Sequence, residues 1–216
     1  MDTADAADGD IALKFDPGVC MPMSAVVFCG AREGRDPAWR EAAISLGQGL
    51  ARAGIRLIYG GGRLGLMGVV ADAVLDGGGQ VLGIIPEFLT TMEVAHDRVT
   101  DLEITDSMHS RKRRMFELAD AFVTMPGGLG TLDETVEIIT WRQLGLHEKP
   151  ILICNVAGWA DGLLGAFNTA VADGFAAPSA HQLYQVVPDV ASALAALAAV
   201  PSHTMPGQPV ADARRL

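Results

Sequence analysis

Ala121-Phe122-Val123-Thr124-Met125-Pro126-Gly127-Gly128-Leu129-Gly130-Thr131-Leu132-Asp133-Glu134 is a short apolar run that passes through proline into glycines and then into a helical pattern. Too short for a helix and rich in β-branched and aromatic side chains, Ala121–Met125 reads as a buried strand. The stretch is therefore strand, ligand-grade loop and helix in direct succession. The same order recurs along the chain. Strand-like runs fall at Ala25–Cys29, Ile55–Tyr59, Gln80–Ile85 and Pro150–Asn155, with fainter ones at Leu102–Thr105 and Leu183–Val187. Helical patterns fall at Pro37–Ala53, Gly65–Leu75, Met108–Ala119, Thr131–Leu144, Trp159–Asp173 and Pro188–Ala199. Pro37 suits the first helical position and Gly54 the left-handed residue beyond the last.

The strand runs are almost continuously apolar, which requires a sheet covered on both faces. Repeated β-α units then predict an α/β, Rossmann-like, doubly wound and mainly parallel sheet with helices on both faces. Ligands of such sheets sit beyond the carboxyl ends of the strands. A length of 216 residues, half of them apolar, suits one domain. We place it at 24–200, with an acidic tail over 1–23 and a loose, proline-bearing tail over 201–216.

Sixteen basic residues against 26 acidic ones give a formal charge of −10. That surface repels polynucleotides and anionic membranes, while leaving room for a small anion where backbone N–H groups converge. The chain start is acidic where a signal peptide is basic, and no apolar run reaches spanning length, so a cytoplasmic protein is expected. Cys20, Cys29 and Cys154 are too scattered for a zinc site or a disulfide framework. No histidine has metal-ligand spacing, and His96, His109 and His147 read as surface or loop residues. No metal and no cofactor are expected.

Three strands run into glycine at the ligand edge: at Gly30, at Gly60-Gly61-Gly62, and at Gly127-Gly128-Leu129-Gly130-Thr131. Glycine permits close backbone approach, and a helix N-terminus beyond each loop favours phosphate. Gly60, Gly62 and Gly65 also satisfy a dinucleotide fingerprint. The acid that fingerprint requires comes late, as Glu87 beside Pro86, which disfavours NAD.

Thr131-Leu132-Asp133-Glu134 fits a capping box, so Glu134 has two readings. It is a helix cap, which the box alone favours, or a carboxylate one turn into the helix beside a phosphate held by Gly128–Thr131. Both can hold in turn, the carboxylate capping the empty protein and swinging to substrate. Arg111-Lys112-Arg113-Arg114 is the dense basic cluster of an acidic chain. Consecutive helical residues point about 100° apart, so the four cannot share one solvated face. Arg111 and Arg114 share a side with Met115 and Leu118, Arg113 points elsewhere, and at least one cation must turn toward the sheet edge.

These motifs resemble the LONELY GUY family of cytokinin riboside 5′-monophosphate phosphoribohydrolases, whose P-G-G-x-G-T-x-x-E signature also goes by the label lysine decarboxylase. The resemblance rests on Ser107-Met108-His109-Ser110-Arg111-Lys112, on the Pro126–Glu134 stretch, and on Ile139-Thr140-Trp141-Arg142-Gln143-Leu144-Gly145. It extends through Tyr59–Gly68, Glu93-Val94-Ala95-His96 and Leu146–Pro150, and spans roughly Val26 to Val187. It implies that Arg111 and Glu134 are the catalytic pair. It also implies that Glu93, Lys112, Gly128–Thr131 and Thr140 contact a nucleoside 5′-monophosphate, and that the protein is a homodimer or larger. Ala31 stands where the family commonly has serine, which removes one hydroxyl contact.

A decarboxylase using pyridoxal phosphate needs a lysine in an apolar pocket, and none of Lys14, Lys112 and Lys149 has that setting in the sequence. Hydrolysis of an N-ribosidic bond instead needs a carboxylate near an oxocarbenium-like sugar, which suits Glu134, and a planar donor for the substrate anion, which suits Arg111. The base pocket is expected around Phe88–Met92. Two alternatives stay open: an AMP-nucleosidase type of purine monophosphate hydrolase, and a non-catalytic nucleotide-binding module of the same superfamily.

Overall fold

The computed structural model describes residues 23–90 and 95–200. The tails expected over 1–23 and 201–216, apart from Met23, lie outside the described residues, and so do Cys20 and Glu93. Seven strands, β1 (Ser24–Phe28), β2 (Arg56–Tyr59), β3 (Val81–Pro86), β4 (Asp101–Thr105), β5 (Ala121–Thr124), β6 (Ile151–Cys154) and β7 (Gln185–Val187), form one sheet in the order β4-β3-β2-β1-β5-β6-β7. Every neighbouring pair is parallel. The helices are α1 (Pro37–Ala53), α2 (Gly65–Asp76), α3 (Met108–Leu118), α4 (Leu129–Gln143), α5 (Asp161–Ala172) and α6 (Val190–Ala198).

The period of two along each strand divides the core. Ala25 and Val27 of β1, with Cys29 just beyond it, pack with Leu46 and Leu50 of α1, Val70 and Val74 of α2, and Leu197 of α6. Val26 and Phe28 face the other way, with Met115 of α3, Ile138 and Ile139 of α4, and Leu164 and Phe167 of α5. Both faces are thus covered, as the continuous apolar runs require. Asp36 caps α1 by accepting from the Ala38 N–H at 2.9 Å, and Gly54 closes it at φ 65°.

The chain winds outward from β1 to β4 and then returns to the opposite side of β1 as β5. Loops leaving β1 and β5 therefore diverge, and the space between them at the carboxyl edge is the switch point where such sheets bind ligands. Among the described residues no helix is long and apolar enough to cross a membrane.

His96 and His147 both lie in loops, as the sequence reading allows, but in buried ones. His96 is 2% exposed and His147 8% exposed, so neither is a surface residue, whereas His109 is exposed. His147 satisfies both ring nitrogens internally, one with the Ile138 carbonyl at 2.9 Å and one with the Lys149 N–H at 3.1 Å, and packs edge-on to Phe116 and Phe122. His96 accepts from the Arg98 N–H and faces Asp72 at 3.4 Å. His147, whose ring nitrogens both find partners, is as buriable as an aromatic, whereas the buried His96 Nε2 makes no hydrogen bond among the described residues.

Candidate active site

A cavity of about 630 Å³ opens at the switch point, within the range of sites that enclose small organic ligands. Its floor is backbone. The Gly30 N–H donates to the Pro126 carbonyl at 3.0 Å, and the Gly30 carbonyl accepts from the Met67 N–H at 3.3 Å. The β1 loop, the β5 loop and the first turn of α2 are thereby joined at one residue. A side chain at Gly127 would place its Cβ 2.1 Å from Thr131 Oγ1 and 2.9 Å from the Gly30 nitrogen, so this contact requires glycine.

The start of α4 differs from the capping-box reading. The helix begins at Leu129 with Gly128 as its cap, so Thr131 is not the N-cap, and both Thr131 and Glu134 lie inside the helix. Gly128 has no side chain with which to satisfy the first turn. The N–H groups of Leu129, Gly130 and Thr131 therefore have no partner within the helix, and their positive end faces the cavity that they line. The turn is fixed from beneath, where Thr135 Oγ1 donates to the Thr131 carbonyl at 2.7 Å and lies 2.9 Å from Thr124 Oγ1 of β5.

Opposite α4 stands α3, capped at Ser107 by the reciprocal bonds of Ser107 and Ser110. Arg111, in its first turn, is the basic residue that turns inward. It is 6% exposed, its Nε donates to the Ile84 carbonyl at 3.2 Å, and its Nη2 lies 3.5 Å from Glu134 Oε1. Glu134 is itself 9% exposed. Cys29 also lines the cavity. Burial first, and the Glu134 charge second, push its thiol pKa far up, so it is a neutral wall and not a nucleophile.

The sequence-predicted residues separate into two groups. Gly30, Arg111, Gly127, Gly128, Gly130, Thr131 and Glu134 meet at the cavity. Gly60, Gly61 and Gly62 do not line it. Gly60 instead makes room for Arg111, because a Cβ there would lie 2.2 Å from Nη2. The Gly61 carbonyl accepts from the His96 N–H, and Gly62 pairs with Ala95. Nor does the β1 loop open straight into a helix, since α1 starts only at Pro37 and carries its own cap.

Lys112 and Thr140 also stand apart from this chain's cavity. Lys112 Nζ sits 2.6 Å from Asp133 and 3.4 Å from Glu137. Burial lowers its pKa, but the bonds and charges of those two carboxylates outweigh it and leave the pKa raised. Thr140 Oγ1 donates to the Val136 carbonyl at 2.8 Å on the exposed side of α4. Cavity residues without a motif of their own include Trp39, Leu89 and Trp159. Leu89 falls in the expected base-pocket segment. Trp39, in the first turn of α1, and Trp159, between β6 and α5, carry no sequence signal of a site.

Among the described residues no group of three or more histidines, cysteines or acids could hold a metal ion. No described lysine lines the cavity, since the Lys149 ammonium donates to the Phe116 carbonyl at 2.6 Å.

Residues 67–197 match the family model described as possible lysine decarboxylase. A probable cytokinin riboside 5′-monophosphate phosphoribohydrolase, LOGL9, of Oryza sativa subsp. japonica is 49% identical over 166 residues, covering 77% of this chain and 73% of that protein. The cytokinin riboside 5′-monophosphate phosphoribohydrolase of Rhodococcoides fascians is 44% identical over 177 residues, covering 82% and 89%. Among solved structures, the molybdenum cofactor carrier protein of Chlamydomonas reinhardtii superposes with a TM-score of 0.63 at 22% identity, covering 83% of this chain and 98% of that one. At that identity the likeness shows the fold alone.

Proposed function

The chain belongs to the family of cytokinin riboside 5′-monophosphate phosphoribohydrolases, and on that premise we propose that it hydrolyses the N-glycosidic bond of an N6-substituted adenosine 5′-monophosphate. The products are the free base and ribose 5-phosphate. The observation that carries this reading is a buried carboxylate, Glu134, one helical turn from a row of backbone N–H groups and paired with a buried guanidinium. A phosphate on those N–H groups places the ribose beside Glu134.

Cleavage breaks the bond between C1′ and the base nitrogen, and water supplies the new oxygen on C1′. Positive charge develops on the sugar as the base leaves. Glu134 offsets that charge and is the base positioned to take the water's proton, which passes to the departing base. Arg111 holds the carboxylate in place and presents its remaining donors to the sugar phosphate. Gly30, Gly127, Gly128, Gly130 and Thr131 form the anion cradle; Gly60, Gly61 and Gly62 support it from behind by seating Arg111 and the segment near His96. The reaction calls on no metal or redox group.

We assign Glu93, Lys112 and Thr140 to substrate contact within a homodimer or larger assembly. Thr140 lies on α4 between Val136, 40% exposed, and Leu144, 66% exposed, four residues away on either side. An apolar stripe of that spacing suits a helix that meets a second copy. Light scattering on the purified protein tests this directly, and a monomeric mass removes it. We place the protein in the cytoplasm, with no nucleic-acid polymer or membrane as partner, in keeping with its charge of −10.

Incubation with AMP and with N6-isopentenyl AMP, followed by chromatography for free base, tests the activity. Faster release from the isopentenyl nucleotide supports the cytokinin reading, faster release from AMP supports an AMP nucleosidase, and no release supports a binding module.

A further inference from the structure

The turn after β6 is bent in a way that an ordinary connection does not need. Ala157 holds φ 51° and Gly158 φ 74°, two left-handed residues in succession. An alanine in that region carries strain that persists only where surrounding contacts enforce it. Those contacts come from Asn155, whose side-chain oxygen accepts from the Ala160 N–H at 2.7 Å and whose nitrogen donates to Asp161 at 2.7 Å. Ala160 is fully buried. The braced turn delivers Trp159 to the cavity wall, where its indole Nε1–H donates to the Gly127 carbonyl at 3.1 Å.

That bond acts on the loop through the geometry of the peptide unit. A trans peptide points its carbonyl and its N–H in opposite directions. Fixing the Gly127 carbonyl on the indole therefore fixes the direction of the Gly128 N–H. This donor has no acceptor among the described residues. Gly127 and Gly128 on their own would leave the unit free to rotate.

We propose that Trp159 is a positioning residue for phosphate: its indole N–H locks the Gly127–Gly128 peptide so that the Gly128 N–H joins the cradle at the start of α4. The inference rests on the reading that this cavity takes the 5′-phosphate, and adds a residue that reaches the phosphate only through the loop.

The test is calorimetric binding of ribose 5-phosphate and of adenosine to the full chain and to Trp159→Phe, which keeps an aromatic ring and deletes the N–H. Ribose 5-phosphate should weaken by about tenfold, the scale of one hydrogen bond to a charged ligand, while adenosine stays within about twofold. Asn155→Ala, which removes the brace and leaves the indole, should weaken ribose 5-phosphate selectively in the same way, and decides the matter alone if Trp159→Phe does not fold. Equal weakening of both ligands makes Trp159 a packing residue and overturns the proposal, as does no change in either. A parent protein that binds ribose 5-phosphate no better than ribose removes the phosphate reading, and this inference with it.

Discussion

Arg111 Nη2 stands 3.5 Å from Glu134 Oε1, with the two side chains arriving from α3 and α4 on opposite sides of the cavity. Arg111 is not held by Glu134 alone, since it is also anchored to the Ile84 carbonyl. The pair is close enough to couple, and both residues line the cavity. In the proposed reaction, catalysis depends on that spacing.

Glu134→Gln removes the charge while keeping the size of the side chain. Glu134 is not the cap of α4, so the helix start should survive. We expect turnover to fall by at least about a hundredfold with a melting temperature within about 5 °C of the parent. Activity within a few-fold of the parent would reduce Glu134 to a counter-ion for Arg111.

Arg111→Lys keeps the charge but cannot reach Ile84 and Glu134 with one fork of donors. Most activity should be lost. Arg113→Lys, in an exposed pair with Glu117 at 3.0 Å, should remain near the parent, because such pairs contribute roughly 0–1 kcal/mol. Kinetics of both variants at one salt concentration separate a specific guanidinium from a general basic field. Similar behaviour of the two would favour the field.

Gly60→Ala should act through Arg111, because the added methyl would lie 2.2 Å from Nη2. The expected result is a loss of kcat similar in kind to Arg111→Lys, although residue 60 lines no part of the cavity. Gly162→Ala is the control. Nothing lies within 4 Å of that site on α5, and alanine should raise stability by up to about 1 kcal/mol.

Acid should weaken the fold partly through His147. Burial first, with the Lys149 and Arg142 charges, holds its pKa below the usual 6.5, against the opposing bond to Ile138. With the folded pKa below the unfolded one, the unfolded chain binds the proton more readily. The stabilising contribution is therefore complete above about pH 6.5 and is lost as pH falls through the folded value. Thermal melts from pH 7 downward should show this slope, and His147→Phe should flatten it. An unchanged slope would mean that other groups dominate acid sensitivity.

The 5′-phosphate should be required. Without it, the N–H groups of Leu129, Gly130 and Thr131 stay unpaired on substrate binding. The ratio kcat/KM for isopentenyl adenosine should fall far below that for its monophosphate. Equal ratios would mean that the start of α4 is no anion cradle.

The sheet is legible in the sequence because each strand is an apolar run bounded by turn residues, and because Pro37 and Gly54 mark both ends of α1. Arg111 is legible as one of four cations that cannot share a face. Three features are not. The letters of a capping box at Thr131–Glu134 are present, but the helix starts earlier, at Leu129, with Gly128 as its cap and Gly127 packed against Gly30. Gly60 reads as a phosphate glycine and serves instead as the seat of a guanidinium, because its loop pairs with Ala95 and His96. Trp159 carries no motif, since its role comes from a strained turn that sequence alone does not show.

The most direct measurement is product analysis of N6-isopentenyl AMP incubated with the purified protein and, in parallel, with Glu134→Gln. The parent should yield isopentenyladenine and ribose 5-phosphate in equal amounts, and the variant should yield almost none of either. Intact nucleotide with the parent, or base released without matching ribose 5-phosphate, would contradict hydrolysis at this site.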